Sequence, residues 1–179
     1  MPVLLGPLTS SSFPSIPSDF YLIGSAEISS PANSITISNI PNDYRVLEIR
    51  AVFGTVSAQD VFIRFNGDSQ NRYDTYRFYT TGATQTGSAF SDKYSGTYGT
   101  AGYSGATGTM SEFVGHIVDY QSSSKAKTAK FWGSSEALGY LQMVGWRSLD
   151  PITSITFFAN NNINFLANTR FSLYGMVGS

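Results

Sequence analysis

From Phe20 onward, apolar residues recur at every second position through most of the chain. Leu47, Ile49, Ala51 and Phe53 alternate with Glu48, Arg50 and Val52, while Val61, Ile63 and Phe65 face away from Phe62 and Arg64. A period of two predicts strands, and the pattern places them at 20–28, 34–39, 45–54, 61–66, 75–81, 113–120, 127–133, 140–147, 152–160 and 170–177. No window carries the apolar stripe of a long amphipathic helix. Asn66-Gly67 predicts a tight turn with positive φ at both residues. Near the C-terminus, Ile152, Ile155 and Phe157 are followed by Phe171 and Leu173. Between them, the Asn160–Asn164 run tolerates left-handed backbone, so this stretch predicts a β-hairpin. Ten short strands with turn clusters between them imply an all-β, antiparallel β-sandwich.

Two segments fall outside that pattern. Residues 1–18 hold Pro2, Pro7, Pro14 and Pro17 among Ser, Thr and six larger apolar side chains: Val3, Leu4, Leu5, Leu8, Phe13 and Ile16. The expectation is an extended N-terminal arm, 1–18, ahead of a sandwich domain, 19–179. Stretched out, the arm would reach roughly 60 Å. Ordering it costs about 1–2 kcal/mol per residue, and burying six apolar side chains at about 1.5–3 kcal/mol each does not clearly offset that. An ordered arm therefore needs backbone hydrogen bonds to another surface, which makes its apolar residues candidates for partner binding. Residues 94–108, YSGTYGTAGYSGATG, read as a surface loop. Tyr94, Tyr98 and Tyr103 make it a candidate contact loop, because Tyr supplies amphipathic area at low rotamer cost.

At 179 residues the chain fits one domain with an arm. Only 13% of residues are charged, and 11 Lys and Arg nearly cancel 12 Asp and Glu, so there is no basic field to hold nucleic acid. The absence of cysteine removes disulfides and thiolate metal sites. The apolar opening MPVLLGPL is too short to span a bilayer and lacks a basic flank, so synthesis in the cytoplasm is the expectation.

Little in the sequence points to catalysis. The single histidine, His116, lies within FVGHIVDY and reads as a satisfied strand residue; Asp119, three positions on, would face the other way in a regular strand. Calcium on Asp60, Asp68 and Asp74 is open, although their spacing is not a loop signature and Asp68 also fits a turn. Twelve scattered acids identify no glycosidase pair. Trp132 and Trp146 read as core or interface residues with a bonded indole N–H, with stacking on carbohydrate as the alternative. Arg147 and Arg170 are assigned no ligand. No cofactor is expected.

Three stretches carry a family resemblance: WRS..PITSITF.......F..N.RFSLYG beginning at Trp146, IRFNGDSQNRYDTYRFY at 63–79, and IVDYQSSSKAKTAKFWGS at 117–134. Together they span about Phe20 to Val177 and resemble a group of small structural proteins of tailed bacteriophages, of the capsid decoration, head-fibre or tail-fibre type. The resemblance implies a jelly-roll form of the sandwich and a non-enzymatic cement role on the outer surface of the major capsid protein shell. It also implies a homotrimer, assembled in the host cytoplasm and carried on the virion. The alternative it implies is a receptor- or glycan-binding module of a tail or head fibre.

Overall fold

The computed structural model describes residues 19–82, 84–88 and 98–177, without the side chains of 84–88. The arm residues Val3, Leu4, Leu5, Leu8, Phe13 and Ile16, and Tyr94, lie outside these residues. The strands are β1 (Phe20–Glu27), β2 (Ser34–Ile37), β3 (Val46–Phe53), β4 (Gln59–Phe65), β5 (Tyr73–Thr81), β6 (Thr84–Ser88), β7 (Gly99–Ser104), β8 (Ser111–Val118), β9 (Lys127–Ser134), β10 (Gly139–Trp146), β11 (Ile155–Ala159) and β12 (Arg170–Met176). They form an eight-stranded sheet, β1-β12-β3-β8-β9-β10-β5-β6, packed on a four-stranded sheet, β2-β11-β4-β7. All pairings are antiparallel.

The expected jelly-roll winding is visible in that order. With the hairpins β5–β6 and β9–β10 set aside, the chain crosses from one sheet to the other at nearly every connection. It leaves two four-stranded sheets, β1-β12-β3-β8 and β2-β11-β4-β7, the double Greek key of a jelly roll. The two hairpins widen one sheet only. Between the sheets lies an aromatic core: Phe157 of β11 stacks on Phe171 of β12 at 4.4 Å, and Phe113 meets Phe131 edge-on at 5.4 Å. The period of two decides what enters it, since Leu47, Ile49 and Phe53 are fully buried while the intervening Arg50 and Val52 face solvent.

Several expectations are corrected. The last two strands do not form a hairpin: β11 pairs with β2 and β4, and β12 with β1 and β3. The Asn-rich run does supply left-handed backbone, at Asn161 and Asn162, with Asn168 further along also left-handed, but the connection carries the chain between sheets. Asn66-Gly67 makes the expected turn, with φ of 52° and 65° and Asp68 N–H donating to Phe65 O at 2.8 Å. It too links the two sheets. The Asn66 carboxamide holds the turn against the approach to β11, accepting from Thr153 N–H at 2.8 Å and donating to Pro151 O at 2.7 Å.

The Tyr- and Gly-rich segment is not a loop throughout, because Gly99–Ser104 forms β7 at the edge of the smaller sheet. Its glycines permit close approach to the larger sheet: a Cβ at Gly99 would stand 2.3 Å from a Val144 methyl, and one at Gly102 2.9 Å from the Phe53 ring. Tyr98 stacks on Phe62 at 4.1 Å, and Tyr103 packs partly buried against the core.

Candidate functional site on the outer face of the eight-stranded sheet

The face of the larger sheet turned away from the core is where the period of two leaves unexpected side chains. Antiparallel register lines up Ser172, Arg50, Val114, Trp132, Leu141 and Phe78 as successive cross-strand neighbours on β12, β3, β8, β9, β10 and β5. The adjacent row runs Tyr174, Glu48, His116, Lys130, Met143 and Tyr76. An outward face of an antiparallel sheet is ordinarily polar. Here Trp132 is 43% exposed, Leu141 38% and Phe78 53%, side by side on three neighbouring strands. Tyr76, Val52, Val118 and Leu22 are further exposed apolar positions on this face.

Trp132 is therefore not a core residue. Trp146 is: it is buried between Phe65 and Tyr73, and its indole N–H donates to Asp68 Oδ2 at 2.8 Å.

A polar network adjoins the apolar row. Glu48, only 6% exposed although it points outward, accepts from His116 Nε2 at 2.8 Å and from Arg50 Nε at 2.6 Å. Burial acts to raise the Glu48 pKa, but the hydrogen bonds from His116 and Arg50, aided by their charges, outweigh it and hold the carboxyl below its ordinary value. The Arg50 guanidinium lies over Tyr174 at 4.7 Å and Phe20 at 5.3 Å, and the His116 ring meets Trp132 edge-on at 5.0 Å. His116 is thus satisfied in its strand, as expected, with Glu48 of β3 as partner. Asp119 lies beyond the end of β8 with φ of 52° and pairs with Lys125 at 3.1 Å. Among the described residues no hydroxyl is hydrogen-bonded to His116.

Beside this network is an open hollow of about 550 Å³, walled by Arg50, Val52, Glu112, Asn168, Arg170 and Tyr174 among others. Arg170 also grips Glu27 through two guanidinium nitrogens. Fixed polar side chains beside aromatic faces are suited to docking an uncharged, hydroxyl-rich or amphipathic surface.

The other candidates are dispersed. Asp60 pairs with Arg77, Asp68 with Trp146 and Arg72, and Asp74 with Arg147, so the three do not converge on one ion. Among the described residues no group of three or more His, Asp or Glu is placed to hold a metal. Tyr98 covers Phe62 of the smaller sheet, away from Trp132.

Sequence reasoning missed two buried polar side chains. Lys127 faces the core side of β9, with Nζ donating to Lys125 O at 2.8 Å and Leu149 O at 3.1 Å; burial lowers its pKa. Gln142 on β10 is fully buried with its amide unpaired. Both sit in the inward alternation of their strands, and only that phase could have flagged them.

The fold and this face together define a jelly-roll β-sandwich whose outer sheet exposes a row of apolar side chains. Compared with family models, curated proteins and solved structures, the chain has no match in any of the three.

Proposed function

We propose that the chain is a non-enzymatic capsid decoration protein of a tailed phage, acting as a homotrimer that binds the outer surface of the major capsid protein shell and stabilises it. The observation that carries this reading is the contiguous row Trp132, Leu141 and Phe78 on the outer sheet. With aromatic side chains at about 150–250 Å² each, Trp132, Phe78 and Tyr76 at roughly half exposure present on the order of 300 Å² of ring surface. Eight strands at about 4.8 Å spacing and about 26 Å length give a face of roughly 900 Å², close to the ~800 Å² that one partner contributes to a stable interface. The motif resemblance supplies the particle. An arm bearing Val3, Leu4, Leu5, Leu8, Phe13 and Ile16 adds a second attachment, and two linked contacts reinforce each other.

The test is re-binding of the full chain to shells prepared without it, followed by co-sedimentation. Wild type is expected to saturate the shells, and the double variant Trp132→Glu, Phe78→Glu to fail while remaining folded. Equal binding by both would remove the outer face from the proposal.

A second reading is favoured by the 550 Å³ hollow with its fixed Arg, Glu and Asn walls: a glycan-binding module of a tail or head fibre. Specific retention of the full chain on a glycan array, abolished by Arg50→Ala, would favour it over a cement role.

A further inference from the structure

Asn66-Gly67, in the turn between β4 and β5, is the only Asn-Gly step in the sequence. Such a step is the least durable an asparagine can make, because glycine presents its backbone nitrogen to the neighbouring carboxamide with no side chain in the way. The reaction consumes only water. Hydroxide takes the Gly67 amide proton, and the nitrogen attacks Asn66 Cγ to form a five-membered ring. The Cγ–Nδ2 bond breaks, and Nδ2 takes a proton from water and leaves as ammonia, which returns the hydroxide. One water then opens the succinimide at either carbonyl, leaving aspartate or isoaspartate at this position.

The fold holds the carboxamide back from that ring closure. Nδ2 donates to Pro151 O at 2.7 Å, while Oδ1 accepts from Thr153 N–H at 2.8 Å, Ser154 N–H at 3.1 Å and the Thr153 hydroxyl at 3.3 Å. The backbone is pinned as well, with Asn66 N–H donating to Ser154 O at 2.9 Å. Both ends of the carboxamide therefore face the segment leading into β11. Ring closure needs Cγ to fold onto the following nitrogen, so these bonds must first be released. Asn66 is half-buried and Gly67 exposed, which leaves water and hydroxide within reach of the turn.

We propose that Asn66 is a latent deamidation site, withheld by this clamp and converted only when the 151–154 segment lets go. The product cannot rebuild what it replaces. A carboxylate still accepts from Thr153 and Ser154 but has no hydrogen to give Pro151 O, and its second oxygen faces that carbonyl. Isoaspartate adds a backbone atom to a turn that already runs through left-handed φ at both residues. The same turn carries Asp68, whose Oδ2 accepts the Trp146 indole N–H at 2.8 Å, so conversion also loosens the end of the core where Trp146 is buried. Asn66 is thus a one-way catch between the β4–β5 and β10–β11 connections. The inference stands on this turn alone and is independent of any role on a shell.

The test holds the full-length chain at mildly alkaline pH with and without denaturing urea, and follows conversion by peptide mapping that separates asparagine, aspartate and isoaspartate at this position. Opening gives up four side-chain hydrogen bonds, so the folded chain is expected to convert at least about tenfold more slowly than the unfolded one. In urea below the unfolding transition, conversion should rise in step with hydrogen exchange at the Thr153 amide, because one opening exposes both. Asn66→Asp is expected to lower the urea midpoint and speed Thr153 exchange. Equal conversion in folded and unfolded chains, conversion that does not follow Thr153 exchange, or a wild-type midpoint for Asn66→Asp would each overturn the proposal.

Discussion

Replacing Glu48 would leave two hydrogen-bond partners without their acceptor, since His116 and Arg50 both bond its carboxylate on a nearly closed part of the outer face. Loss of hydrogen bonds of this kind costs about 1–3 kcal/mol, so Glu48→Gln is expected to lower the urea midpoint measurably. The folded pKa of Glu48 lies below its ordinary 4.5. Its contribution to stability is therefore complete above the unfolded value and is lost as pH falls through the lower folded value. Urea titrations across the acid range should show wild type losing stability more steeply than Glu48→Gln. Parallel curves would refute the assignment. At this scale the sequence was half legible: a lone strand histidine reads as satisfied and is, and of the two indoles expected to be bonded in the core or an interface Trp146 is so placed while Trp132 is exposed. The identity of the partners was not readable, because Glu48 and Asp68 reach His116 and Trp146 through sheet pairing and turn placement far along the chain.

Strand existence follows from alternation, and β3, β4 and β8 to β12 fall where Leu47, Val61, Phe113 and their periodic neighbours place them. β7 escapes that signal because Gly99, Thr100, Ala101 and Gly102 have too little apolar contrast to display a period. What specifies β7 is close packing against β10, a tertiary property. Gly99→Ala tests this: with a Cβ 2.3 Å from Val144 the edge strand must shift, at about 1–3 kcal/mol, as for other overpacked sites. Val144→Ala in the same chain should recover part of the loss, as a double-mutant cycle by chemical denaturation. Additive effects would mean the two do not meet. The C-terminal hairpin reading failed for a related reason. Asn161, Asn162 and Asn168 declare a turn, but whether two strands around a turn pair with each other or split between sheets depends on partners such as Ile35, Ile63 and Ile49.

For the whole molecule, near-neutral charge and a jelly roll define a scaffold, and function has to reside on its surfaces. The outer face could not be singled out from sequence, since Trp132, Leu141 and Phe78 look like any alternating strand residues until register sets them side by side. Because they lie outside the core, Trp132→Glu with Phe78→Glu should change the thermal midpoint little. Collapse of the fold would show that these residues are structural instead. The proposed role is that of a shell protein present at high copy number. The most direct measurement is quantitative mass spectrometry of intact particles, giving copies of this chain per copy of the major capsid protein. A shell role requires a ratio near one; a few copies per hundred would rule it out and assign the outer face to a fibre.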